Sequence, residues 1–198
     1  MNINYTKYKN DYEIPLNDFA YFYDTHEKKG LKDEFLHESF FKMANDYLQV
    51  ANLVFERSYN AYEKKDYENI TIGPMVYLYN HAIELYVKAI AYRLKLNKIS
   101  GHDSNKIFKE IKNALKDQEY ISLDELEECS KLIEECTRYN EKSQIGRYPI
   151  DNQKKALGIN EEGIVYIRIV LYSKVMNDTM NKLSELYGNV DFAIKFAR

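Results

Sequence analysis

His81, Glu84 and Lys88 stand three and four residues apart in PMVYLYNHAIELYVKAIAYRLKL, a segment that is otherwise mostly apolar. Residues at this spacing share one face of an α-helix, so the pattern predicts a polar strip along a helix that is buried on its other sides. Tyr77 and Lys95 complete this polar strip. An imidazole can exchange protons near neutral pH, which makes His81 a candidate acid or base.

The polar strip has two interpretations. In the first, it is the solvated edge of a core helix, and Glu84 with Lys88 forms an exposed ion pair that contributes a few tenths of a kcal/mol. In the second, it is one wall of a shallow site or a dimer face. Tyr77, Glu84 and Lys88 would then contact the ligand, and His81 would supply the chemistry. The sequence leaves both interpretations open.

A second histidine follows the predicted helix in the turn Gly101-His102-Asp103. Gly101 can adopt a positive φ angle, and Asp103 or Ser104 can cap the next helix. His102 therefore either fills the turn by bonding a backbone carbonyl group, which we prefer, or acts as another acid or base.

The segment IGRYPID adds a third group of candidates within a loop predicted over residues 143–160. Pro149 restricts the backbone, so Arg147, Tyr148 and Asp151 would project from a constrained loop. Arginine can bind phosphate, so Arg147 would stabilise the negative charge of a phosphate group. Tyr148 could stack on a base, with Asp151 as a neighbouring contact to the ligand. Alternatively, Arg147 and Asp151 pair and tie the loop to the bundle.

Metal and cofactor chemistry finds little support in the sequence. Glu34 and His37 form a single ExxH, but a di-iron helical bundle needs a second copy, so we interpret the pair as a solvated helix edge. HExxH, a P-loop and GxSxG are absent. Cys129 and Cys136 are seven residues apart, which suits buried structural thiols better than a metal site. We expect no cofactor and no metal.

Hydrophobic periodicity predicts an all-α protein, a mostly antiparallel bundle of four to five helices over residues 33–198 that follows an irregular N-terminal arm over residues 1–32. No segment of useful length alternates with the period of a strand. Helices are predicted over 33–65 and 74–96, over about 104–117, from a capping box at 122–125 to about 142, and from a cap at Asn160 to about Leu186.

Charge and hydropathy limit which ligands and which cellular location are expected. The net charge is −3 over 198 residues, and the basic residues are scattered, so duplex DNA is not an expected ligand. No window reaches the roughly 18 apolar residues of a membrane span, and the first residues lack the apolar core of a secretory signal. A cytoplasmic location without membrane contact is therefore expected.

The stretches HAIELYVKAI and GHDSNKIFKEI resemble the HEPN domain superfamily, and the resemblance covers about residues 35–145. It implies a helical bundle that often dimerises. Many HEPN proteins are ribonucleases in toxin–antitoxin, antiphage and CRISPR-linked systems, whereas others bind nucleotides, RNA or partner proteins without catalysis. Ribonuclease members carry an arginine followed, after four to six residues, by a histidine, and this chain departs from that pattern.

We therefore expect a non-catalytic or weakly catalytic HEPN-like homodimer that binds RNA, a nucleotide or a protein partner in a bacterial defence or toxin-type system. One alternative is a metal-independent ribonuclease with a rearranged site built from His81, His102 and Arg147. Another alternative is a structural assembly subunit.

Overall fold

The computed structural model describes residues 33–96, 99, 101–118, 120–137 and 168–196, and every regular element within these ranges is helical. The all-α prediction is confirmed. The arm predicted over residues 1–32 lies outside the described residues. The elements are α1 (Asp33–Glu63), a 3₁₀ turn (Tyr67–Asn69), α2 (Ile72–Arg93), α3 (Ser104–Leu115), α4 (Leu123–Thr137) and α5 (Ile169–Phe196).

Helix α2 is the centre of this bundle, since it packs against each of the other four helices. Its side chains are buried around most of the circumference, as expected for a helix with two adjacent apolar sides. Helix α1 runs antiparallel to α2. The Tyr86 hydroxyl donates to Asn45 Oδ1 at 2.6 Å, and the hydroxyl of Tyr79, which is earlier in α2, donates to Asn52 Oδ1, which is later in α1, at 2.5 Å.

Helix α5 packs on both α1 and α2, and its chain direction relative to α2 differs from that of α1. The hydroxyl oxygens of Tyr79 in α2 and Ser173 in α5 are 2.9 Å apart. Further along both helices, Arg93 Nε lies 2.7 Å from Asp191 Oδ1. The order of these contacts shows that α2 and α5 are parallel, which is an exception to the mostly antiparallel arrangement. Helices α3 and α4 form an antiparallel pair, since Asn105 and Lys112 of α3 contact Thr137 and Glu127 of α4, respectively.

The turns that join α2, α3 and α4 follow the local signals in the sequence. Gly101 has a φ angle of +92°, which only glycine adopts without strain. Asp103 caps α3 by accepting a hydrogen bond from the Lys106 amide at 3.0 Å, and Ser122 accepts one from the Glu125 amide at 3.0 Å. Both predicted caps are confirmed: Asp103 ends the turn between α2 and α3, and Ser122 ends the turn between α3 and α4.

Helix α5 ends ten residues later than predicted, at Phe196 instead of Leu186. The prediction was wrong because Val190 and Ala193 continue the buried stripe of α5 and outweigh the low helical propensity of Gly188, which is exposed. The predicted start of this helix at Asn160 lies outside the described residues.

Helix α5 also buries a residue that the sequence placed at a solvated edge. His37 is only 5% exposed, and its Nδ1 atom lies 2.7 Å from the Tyr187 hydroxyl oxygen. The prediction of a solvated edge at this position was wrong because α5 covers this side of α1. Cys129 and Cys136 are buried free thiols, as predicted. Among the described helices, none is long and apolar enough to cross a membrane.

Candidate functional site

Glu84 lies at the centre of the polar strip and is 1% exposed. Its Oε1 atom accepts a hydrogen bond from Lys88 Nζ at 2.7 Å and lies 2.8 Å from His102 Nδ1. The interpretation of Glu84 and Lys88 as an exposed ion pair on a solvated edge was therefore wrong, because the turn after α2 folds back over the Glu84 carboxylate. A buried carboxylate needs such partners to remain charged.

Burial, the largest influence, would raise the pKa of Glu84. The neighbouring imidazole of His81, the ammonium group of Lys88 and the imidazole of His102 outweigh it and lower the pKa to about 2. Glu84 is consequently ionised at neutral pH and can only accept hydrogen bonds.

The turn histidine has a different partner from the one that the sequence suggested. His102 bonds the Glu84 carboxylate, eighteen residues earlier, and not a backbone carbonyl group. Since the carboxylate can only accept, Nδ1 of His102 is the donor. Nε2, the other ring nitrogen, therefore points away from the carboxylate, and the side chain of His102 is 62% exposed. This is the orientation that a carboxylate imposes on a catalytic histidine.

His81 lies near the other oxygen of the same carboxylate. Its Nδ1 atom is 3.8 Å from Glu84 Oε2, which permits electrostatic attraction but is too long for a hydrogen bond. Within the described residues, Oε2 has no hydrogen-bond donor. The ring of His81 stacks on Tyr77, with centroids 5.5 Å apart, and meets the Tyr47 ring edge-on at 4.5 Å. We call Tyr47, Tyr77 and His81 the aromatic trio.

A second group of rings lies further along the contact between α1 and α2. Phe40 and Tyr92 are stacked, with centroids 5.0 Å apart and planes inclined by 7°. Both rings are partly exposed. Tyr92 follows Lys88 by four residues and so lies on the same face of α2. We call Phe40 and Tyr92 the second ring pair.

Comparison with known proteins identifies a family. The sequence matches the HEPN domain over residues 38–171. The chain belongs to the HEPN domain family. The matched range includes the aromatic trio, the second ring pair, Glu84 and His102. No curated protein and no solved structure matches the chain.

In this HEPN domain, the structure brings together most of the predicted site residues. The buried carboxylate of Glu84 lies beside His81, Lys88 and His102, and Tyr77 stacks on His81. The remaining predicted residues, Arg147, Tyr148 and Asp151, lie outside the described residues.

Sequence reasoning missed Tyr47, Phe40 and Tyr92 as neighbours of the polar strip. Phe40 and Tyr47 are seven residues apart and therefore share one face of α1, which is the only local signal that they act together. Their partners on α2 depend on how the two helices pack.

Two open clefts of the HEPN domain lie elsewhere. One, of about 490 Å³, is lined by residues of α1 and the 3₁₀ turn and carries charges of both signs. The other, of about 420 Å³, lies between Tyr62, Ile72 and Arg168. Neither of these two clefts contains a residue of the polar strip.

Proposed function

We propose that this HEPN domain is a non-catalytic or weakly catalytic module that binds single-stranded RNA at the aromatic trio and the adjoining polar strip. One observation carries the proposal. The rings of Tyr47, Tyr77 and His81 lie beside two cationic or protonatable side chains, Lys88 and His102, which share one buried carboxylate.

Each part of this surface suits a different part of an RNA strand. Unpaired bases stack on tyrosine and histidine rings, and such stacking contributes roughly 1–3 kcal/mol per base. His102 is well exposed and can donate to a phosphate through Nε2 when protonated. The net charge of −3 excludes a large bulk electrostatic contribution, so binding would depend on the local surface.

The biological setting and assembly are part of the same proposal. Membership of the HEPN family supports a role in a bacterial defence or toxin-type system and supports a homodimer, since HEPN domains commonly dimerise. The molar mass measured by light scattering during gel filtration tests the dimer. A mass near 23.5 kDa at micromolar concentration would contradict it.

Fluorescence anisotropy with a labelled eight-nucleotide oligouridylate tests RNA binding. We expect saturable binding that Tyr77→Leu weakens by about tenfold, because one stacking ring is lost. Tyr120→Leu is the matched control, since Tyr120 is 41% exposed and lies outside the site. Absence of binding by the unmodified protein, or equal loss in both variants, would contradict the proposal.

A metal-independent ribonuclease is the second candidate, and the shared carboxylate favours it. Glu84 holds His102 through Nδ1 so that Nε2 points away from the carboxylate, and His81 lies near the other oxygen of the same carboxylate. One imidazole could take the proton of a ribose 2′-hydroxyl group while the other protonates the leaving 5′-oxygen. The products would be a 2′,3′-cyclic phosphate end and a free 5′-hydroxyl end.

Incubation of the protein with single-stranded RNA in EDTA tests this candidate. Cleavage that is lost in His81→Asn and in His102→Asn, with unchanged melting temperatures, would establish the ribonuclease. The Arg147→Ala variant tests the predicted stabilisation of phosphate charge. Intact RNA in every sample leaves the binding module as the function.

A further inference from the structure

The aromatic trio and the second ring pair follow one line along α2. Tyr77, His81, Lys88 and Tyr92 are separated by four, seven and four residues, a spacing that keeps all of them on one face of the helix. Tyr77 and Tyr92 are fifteen positions apart, which corresponds to about 22 Å along the helix axis. The two groups of rings are therefore the two ends of a single elongated surface.

Helix α1 completes this surface from the other side. Tyr47 contacts His81 near one end, and Phe40 contacts Tyr92 near the other. Tyr47 and Phe40 are two helical turns apart, so the antiparallel packing of α1 on α2 places a ring contact at each end, edge-on with His81 and stacked with Tyr92. Lys88 lies between the two ends and is 15% exposed.

We propose that these two groups of rings are separate stacking subsites for one strand of RNA, which runs along the α1–α2 seam. This inference rests on the proposed function and adds the second ring pair as a binding subsite. A stacked strand advances roughly 3.4 Å per nucleotide, so about seven nucleotides span the 22 Å, and fewer do so when the strand is extended. A dinucleotide reaches only one subsite.

The charges along the seam suit a strand held mainly by stacking. Lys88 is 15% exposed and pairs with Glu84, so the exposed basic side chains at the strip are Lys95 and His102, which bonds the same carboxylate. Two phosphate contacts on a single strand give a slope of roughly −1 to −2 for the logarithm of the binding constant against that of the salt concentration. A steep salt dependence is not expected.

Anisotropy with labelled oligouridylates of two and eight nucleotides tests the two subsites. The octamer should bind the unmodified protein at least about tenfold more tightly than the dimer, because it stacks at both ends. Tyr92→Leu should remove most of this advantage and leave dimer binding within about twofold, since the dimer still has the aromatic trio. Phe40→Leu should act in the same way.

Tyr62→Leu is the matched control for these variants, because Tyr62 is 53% exposed and lies near the opposite end of α1. Melting temperatures within a few degrees of the unmodified protein exclude unfolding as the cause. If Tyr92→Leu and Phe40→Leu leave octamer binding intact, the second ring pair is not a stacking subsite and this inference is overturned. The proposed function would survive that result. No binding of either oligonucleotide by the unmodified protein would overturn both.

Discussion

His102 Nδ1 and Lys88 Nζ both contact Oε1 of Glu84, at 2.8 and 2.7 Å. One carboxylate therefore fixes a turn that lies outside α2 and a lysine that lies on it. The stability of this corner of the bundle and the orientation of His102 depend on the same charge.

Glu84→Gln should lower the free energy of unfolding by about 1–3 kcal/mol at neutral pH. The amide keeps the shape of the side chain but removes the charge that Lys88 and His102 face in a buried position. Urea denaturation followed by circular dichroism measures the loss. Glu56→Gln is the control, because Glu56 is exposed and its replacement should change stability by less than about 0.5 kcal/mol. Equal losses in the two variants would refute the role of the buried charge.

The stabilisation by Glu84 should disappear in acid. The pKa of Glu84 is lowered from its ordinary value of 4.5 to about 2 in the folded protein. Its stabilisation is therefore fully present above about pH 4.5 and is lost as the pH falls towards 2. The difference in unfolding free energy between the unmodified protein and Glu84→Gln should shrink over this window. Subtraction cancels the other carboxylates, and a difference that stays constant from pH 6 to pH 2.5 would contradict the lowered pKa.

The parts of the site that the sequence predicts are those set by local rules. The periodicity of α2 places Tyr77, His81, Glu84 and Lys88 on one face, and the residue types at 101–103 predict the turn and the cap. These expectations concern residues within a few turns of one another, where helical geometry alone decides the neighbours.

The unpredicted parts depend on contacts between distant segments. The burial of Glu84 arises because His102 returns to it across the turn, and the contact of Tyr47 with His81 arises because α1 packs antiparallel to α2. The same limit explains His37, which α5 covers from 150 residues away in the chain. A single sequence contains no local signal for such contacts.

His37→Gln should make the protein less sensitive to mild acid. Burial, followed by the positive charge of Arg93, lowers the pKa of His37 below 6.5, so protonation disfavours the folded state. The stabilisation of the folded state by the neutral imidazole is fully present above about pH 6.5, and it declines as the pH falls through the lowered pKa. The unmodified protein should therefore lose stability relative to His37→Gln between pH 7.5 and pH 5, measured by urea denaturation at each pH. An unchanged or growing advantage of the unmodified protein in acid would contradict the prediction.

Tyr79→Phe should destabilise the fold by about 1–2 kcal/mol without any change in RNA binding. The Tyr79 hydroxyl donates to Asn52 and lies 2.9 Å from the Ser173 hydroxyl, so its removal leaves buried polar groups of α1 and α5 without this partner. Tyr67→Phe is the matched control, because Tyr67 is 65% exposed. Thermal and urea denaturation measure stability, and anisotropy with the eight-nucleotide oligouridylate measures binding. Weaker RNA binding by Tyr79→Phe under conditions where the variant is still folded would contradict the prediction. It would place the RNA-binding surface on the α1–α5 side of α2, away from the polar strip.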